Sequence, residues 1–429
     1  MKNKGFQLFL LIWLGSFISQ IGSGMTSFAL GIYTYQLTGQ VTASALVTLS
    51  AFLPGLLASP LAGTLADRHD RRLLMALGDG LSGLGVAWIY FILKNPQPTL
   101  ALICLGACIS SLFSALVEPA FRATISDLLP EEQLAQATGL TQINGVARYL
   151  ISPLLAGLIL TKSSISTILL LDISTIFVTV ATTLIARQSM QAPIYSSKSH
   201  FWDEFFTGFR IIHEKKGIWI LVLTGTAFSF FLGTVQILLS PLILSFADAE
   251  TVGWSMTVSS SGMLVGGLAL GALAIKKGFH RMLCLALFAL GIFMAGMGSK
   301  ENLIWICSFG FLLFSSLPFA NTAIDYLIRL NIDKREQGKA WGTIGIISQF
   351  GYVIAYASMG WVADTFFKPL LLPKGVLASS IGSIIGVGSS RGYGLLLILA
   401  GICISFSALL LYRQSAIKEL EYVSQISQK

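Results

Sequence analysis

The sequence predicts an all-α integral membrane protein with twelve transmembrane helices in two pseudo-symmetric six-helix bundles and both termini cytoplasmic. Three observations carry that expectation. Only 11% of the 429 residues are charged and 54% are hydrophobic, with a mean hydropathy of +0.76, whereas a soluble domain is about 25% charged. Apolar runs recur at the length, roughly 20 residues, that a hydrocarbon core about 30 Å thick demands of a helix. Basic residues, finally, concentrate in alternate connections.

The runs fall at 8–35, 41–65, 73–93, 99–121, 137–161 and 165–186, then at 218–246, 252–275, 281–298, 302–328, 340–363 and 392–412. The first is too long for a cleavable signal and feeds directly into the second, so it reads as a retained span. With the N-terminus inside, the inner segments hold 21 of the 28 Lys and Arg and the outer segments 6, Arg148 lying within a span. That asymmetry places both ends inside and requires an even number of spans.

The expected division is a bundle over 1–187, a cytoplasmic linker over 188–216, a second bundle over 217–413 and a tail over 414–429. Within the linker, Phe201 to His213 is amphipathic and reads as a short helix on the membrane surface. The outer connection 365–391 is long and rich in Gly, Ser and Leu, and is expected to dip towards the bilayer.

Composition also excludes. The 28 Phe, 11 Tyr and 8 Trp rule out a disordered chain. The net charge of +8 is scattered over loops, so no nucleic-acid surface forms. Five cysteines, all in apolar runs, make neither a disulfide framework nor a metal site. The four histidines read as loop residues. No phosphate-binding glycine loop is present, which argues against direct nucleotide drive.

An internal repeat is visible. The second span ends in Gly63-Thr64-Leu65-Ala66-Asp67-Arg68-His69-Asp70-Arg71-Arg72, and the eighth ends in Gly271-Ala272-Leu273-Ala274-Ile275-Lys276-Lys277. The glycine, the Leu-Ala pair and the base align. Secondary transporters are often built from such repeats around a central site.

The first copy resembles the signature loop of the major facilitator superfamily. Span five carries Gly145, Ser152, Pro153, Ala156 and Gly157, similar to the family's antiporter motif, with Ser152 where glycine is usual. Glu118-Pro119-Ala120-Phe121-Arg122, Leu128-Leu129-Pro130, Asp172-Ile173-Ser174 and Gly338-Lys339 look like the branch of macrolide and siderophore exporters. Gly386, Gly388, Arg391 and Gly392 of the outer connection are similar to relatives that accompany nonribosomal peptide synthesis genes.

The resemblance implies a secondary exporter of the bacterial inner membrane, working by alternating access and proton antiport. Its cargo would be a siderophore, nonribosomal peptide or macrolide-like compound. It also implies a gate at Gly63, Asp67, Arg68, Asp70, Arg71 and Arg72, latching near Gly338 at the start of span eleven. Gly63 would admit a neighbouring helix, and the arginines would hold Asp70 or lipid phosphates. Gly145, Ser152, Pro153 and Gly157 would bend span five. In this branch an acid often follows Gln-x-Gly in the first span, but here Gln20-Ile21-Gly22 is followed by Ser23.

Charges within the spans are costly unless paired or wet, and they mark coupling candidates: Asp79, Glu118, Arg148, Asp172 and Asp325. Arg148 lies about twelve residues into its helix, near the midplane at 1.5 Å per residue, with Asp172 and Glu118 as candidate partners. Asp325 precedes Arg329 by one turn and reads as an intrahelical pair. Gln20, Tyr33, Gln36, Phe230, Gln236, Gln349, Tyr352 and Tyr356 are candidates for a cavity suited to a bulky amphiphile.

The expected partners are a small amphiphilic substrate, membrane lipids and a coupling H+. No cofactor or metal is expected, and the chain is expected to be a monomer. A lipid or lysophospholipid flippase of the same fold is the alternative. A membrane receptor or an enzyme fits less well, because no signalling domain is long enough and the acids are scattered.

Overall fold

The computed structural model describes residues 2–188, 201–275, 277–333 and 335–426. The expected linker segment 189–200, Lys276, Lys334 and the last three tail residues lie outside them. Among the described residues, twelve helices are long and apolar enough to cross a membrane.

Two compact units form, one of Met1–Gly39 and Ala43–Phe201, the other of Gln40–Thr42 and Trp202–Lys429. The first is built from α1 (Lys2–Thr38), α2 (Val41–Arg68), α3 (Arg71–Ile92), α4 (Leu100–Ser114), α5 (Val117–Leu128), α6 (Glu131–Lys162) and α7 (Ile165–Gln188). The fourth span is α4 followed by α5, broken by a turn at 115–116.

Helix α1 packs on both α6 and α7, and α3 packs on α4 and α7. These crossings are close because α1 presents glycines to its neighbours. A Cβ on Gly22 would run into Thr175 and Asp172 of α7, and one on Gly24 into Ser152 of α6. In lipid no hydrophobic gain separates helix–helix from helix–tail contact, so small residues that admit close packing decide where helices meet. Met25, Ala29, Val86, Ile89, Ile168 and Leu169 fill one core, and Phe9, Ile12, Met75, Phe121 and Ala186 fill a second.

The second unit contains α8 (Phe201–Glu214), α9 (Lys216–Leu244), α10 (Ala249–Leu273), α11 (Phe279–Ser299), α12 (Leu303–Asn331) and α13 (Gln337–Val362). A π-helical turn (Ala363–Phe367) follows, then α14 (Lys368–Leu370), α15 (Gly382–Ile385), α16 (Ser389–Arg413) and α17 (Ser415–Ile426). Where α11 crosses α16, Gly291 faces Gly401 and Gly298 faces Gly394. The expected amphipathic segment is α8, seated on α13, where Thr343 donates to the Phe205 carbonyl (3.2 Å).

Two ordered devices were not foreseen. The 365–391 connection is a closed loop, with the Gly388 N–H donating to the Leu371 carbonyl at 2.8 Å. Arg391, 1% exposed, holds it by donating to Glu301 (2.8 Å) and to the Ile385 carbonyl (3.1 Å). At the other end of the unit, the Glu421 carboxylate of α17 accepts from the backbone N–H groups of Gly278, Phe279 and His280, which begin α11. A helix start carries unsatisfied donors and partial positive charge, so a carboxylate there is stabilised. His280 is thereby not a loop residue; it is 3% exposed within α11 and stacks on Tyr412.

Candidate functional site

The α2–α3 turn folds around Asp70, which caps α3 by accepting from the Arg72 N–H (3.1 Å). Its other oxygen accepts from Arg187 at the end of α7 (2.7 Å). Burial pushes the Asp70 carboxyl up, but Arg187 and the backbone N–H groups outweigh this and hold it below the usual carboxylate range. Arg71 reaches away from Asp70, donating to the Ala66 and Ala123 carbonyls and to Asp127 of α5 (2.6 Å).

A cation from outside the turn, Arg187, thus holds Asp70. Arg72 is 2% exposed, and its Nε has no hydrogen-bond partner among the described residues. Asp67 and Arg68 are exposed. Nothing lies within 4 Å of where a Cβ of Gly63 would stand, and the same holds for Gly145 and Gly338.

A buried carboxylate lies deeper in the first unit. Asp172 of α7 is 1% exposed and accepts from Thr26 (2.6 Å) and Ser23 (3.3 Å), both on α1. The charge of Arg148 acts on it from α6 without reaching salt-bridge distance. Asp79 of α3 is 8% exposed, feels the Asp172 charge, and leaves Oδ2 without a hydrogen-bond partner.

The α1–α6 contact beside this pair is polar too. Ser152 donates to the Ile21 carbonyl (3.0 Å), and Asn144 donates to Ser16 (3.5 Å). Ser152 and Pro153 are buried there, as is Gly157. Glu118 takes no part: it pairs with Arg122 on an exposed surface (2.6 Å), not with Arg148.

In the second unit a cavity of about 270 Å³ opens between α9, α12 and α13, walled by Phe228, Trp341 and Tyr352 and by the polar groups of Ser229, Asn321 and Ser348. Asp325 is its one charged lining residue. Asp325 and Arg329 share one face of α12, and the Arg329 charge acts on Asp325, but their charged atoms do not come within 4 Å of each other. Next to the cavity, Tyr356 donates to Gln236 (2.5 Å) and its ring lies 5.9 Å from that of Tyr352.

Of the other cavity candidates, Gln20 bonds along its own helix to Ser16, Gln36 and Gln349 are exposed, and Tyr33 and Phe230 are half-buried. Sequence reasoning missed Ser23, Thr26, Arg187 and Trp341. Ser23 carried a signal, since it stands between Gly22 and Gly24, where α1 was bound to meet a neighbour.

The profile of the Major Facilitator Superfamily matches residues 12–356. The chain belongs to that superfamily. It is therefore a multi-pass transporter of a bacterial membrane and not an enzyme. It is 25% identical over 364 residues to macrolide efflux protein A of Streptococcus pyogenes, covering 83% of this chain and 89% of the relative. It is also 25% identical over 404 residues to the enterobactin exporter EntS of Escherichia coli O1:K1 / APEC, covering 91% and 89%.

Among solved structures it superposes on the nucleoside transporter NupG with a TM-score of 0.73 at 12% identity, covering 95% and 100% of the two chains. A bacterial homologue of the human lysosomal transporter Spinster, inward-facing and unoccupied, gives a TM-score of 0.74 at 13% identity, covering 99% of each. At such identities the likeness concerns the fold alone.

Proposed function

We propose that this transporter is a proton-driven exporter of amphiphilic secondary metabolites, working by alternating access between the halves 1–187 and 217–413. Both termini would be cytoplasmic, as the distribution of Lys and Arg supports. The activities for which the two relatives are named, macrolide efflux and enterobactin export, support export as the direction and secondary metabolites as the cargo.

The observation that carries the proton reading is Asp172. It is a carboxylate buried in a span, held by two hydroxyls and by no salt bridge. Hydroxyls can donate to a carboxylate or accept from a carboxylic acid, so this seat suits either protonation state. A salt-bridged seat would favour the charged state only. The first span has Ser23 where relatives of the branch place an acid, and Ser23 touches Asp172, so α7 would supply the group that α1 lacks.

Inverted membrane vesicles with an imposed pH gradient test the reading. Uptake of a macrolide or siderophore that stops with a protonophore, and is lost in Asp172→Asn, is expected. Uptake in wild type that ignores the gradient would sink proton coupling. A flippase is the second reading, favoured by an apolar cavity of about 230 Å³ walled by Leu223, Ala227, Phe231, Leu287, Ile404 and Leu411. Lysolipid movement that the metabolites do not compete with would decide for it.

A further inference from the structure

We infer that the cavity of the second unit is a recognition site for the cationic end of its cargo, with Asp325 as counter-charge. The transported class would then be amphiphiles bearing one amine, and anionic catecholates would be excluded. The inference rests on the exporter reading above but concerns the choice of cargo, not its energy source.

Four observations converge. Asp325 sits in a membrane-spanning helix yet is exposed, and it lines the cavity as the sole charged group. A carboxylate in a span costs several kcal/mol unless something compensates it; among the described residues no cation lies within 4 Å of Asp325, and only the charge of Arg329 acts on it, from one turn away. Arg329, one turn further along the same face of α12, is exposed and does not line the cavity.

The walls are suited to a cation as well. Phe228, Trp341 and Tyr352 offer aromatic faces, whose negative quadrupole attracts ammonium groups. Ser229 and Asn321 can accept from an N–H without adding charge. An anion would meet a fixed negative charge and no cationic partner in this cavity, a repulsion that a surrounding of low dielectric strengthens.

Size fixes how much of the cargo enters. Sites for whole drug-sized ligands measure about 300–1,000 Å³, so about 270 Å³ takes an amine-bearing head group while the apolar remainder stays outside this cavity. The acids of the first unit are unsuited to this task, because Asp172 is enclosed by its own hydroxyl donors. Asp325 is thereby moved from coupling candidate to binding residue.

A pair of probes with the same tail and head groups of similar size tests this: decyltrimethylammonium, a monocation, and decanesulfonate, a monoanion, titrated against Trp fluorescence of the full-length protein in nanodiscs. The expected result is a preference for the cation of about tenfold or more, abolished in Asp325→Asn and retained in Asp325→Glu. Neutral decanol should bind wild type and Asp325→Asn alike.

Equal binding of both ions, a preference unchanged in Asp325→Asn, or an anion preference removed by Arg329→Gln would each overturn the inference. Should Asp325→Asn fail to fold, wild type still decides. Decyltrimethylammonium should protect Asp325 from dicyclohexylcarbodiimide, read by peptide mass, and equal labelling with and without it overturns the proposal. These measurements need no gradient. A cation preference dependent on Asp325, without gradient-driven uptake, leaves the cavity assignment standing and removes the exporter reading.

Discussion

Asp172 and Asp325 are both carboxylates within membrane spans, but their surroundings differ. Asp172 lies 1% exposed in the first unit and has two hydroxyl donors from α1. Asp325 is exposed in a cavity of the second unit, with aromatic walls and, among the described residues, no donor or cation bonded to it. The contrast separates two tasks. A carboxylate completed by its own protein can change protonation without a ligand, whereas one left incomplete invites a ligand.

The largest effect expected is on Asp172→Leu. The substitution strands the Thr26 and Ser23 hydroxyls in an apolar core, costing about 1–3 kcal/mol for each, and gradient-driven uptake should fall to background. Thermal unfolding in detergent alongside vesicle uptake checks both parts. A variant that melts like wild type would remove the distinction between the two acids.

Thr26→Val and Ser23→Ala grade the same seat. The Thr26 bond at 2.6 Å is shorter than the Ser23 bond at 3.3 Å. Hydrogen bonds to charged groups contribute about 1.5–3 kcal/mol, so Thr26→Val should destabilise within that range and Ser23→Ala by less. The reverse order, in melting temperature or in uptake, would mean that Ser23 is the principal partner.

Asp70 gives a pH-dependent comparison outside the spans. Its folded carboxyl is held below the ordinary range, chiefly by Arg187 once burial is overcome. A group lowered on folding contributes stability above its unfolded value, about 3.9, and loses it as pH falls through the folded value. Asp70→Asn should therefore melt below wild type at neutral pH, with the gap closing only under acid conditions below that range. A gap that persists there would assign the effect to the cap geometry alone.

The smallest loss of stability belongs to Asp325→Asn, which removes a charge from a span without breaking a hydrogen bond and should melt no lower than wild type. A large loss would show that Asp325 holds the helices together and would erase the contrast with Asp172.

The twelve spans were legible because hydropathy in lipid is a one-dimensional property: a helix either has its roughly 20 apolar residues or lacks them. The acids were legible as residues but not as seats. Ser23 read as a missing acid because nothing local announces that α7, nearly 150 positions later, delivers Asp172 beside it. Glu118 beside Arg122 was the opposite case, since its neighbour at one turn's spacing was its partner all along. At the same spacing Asp325 and Arg329 interact only through the Arg329 charge, their charged atoms staying more than 4 Å apart. The proximity of Asp70 to Arg187 likewise depends on how α3 and α7 meet, which no periodicity encodes.

The carboxylate of Glu421 on the first N–H groups of α11 sets a rule for anyone altering the carboxyl end of this chain. An affinity tag appended after Lys429 leaves that plug in place. A trimmed variant ending before Glu421, of the kind often made to aid crystallisation, uncaps a helix in another part of the unit. The reporter or purification strategy chosen would then change the object being measured, so trimmed and full-length proteins should be compared by melting temperature before either is used for transport.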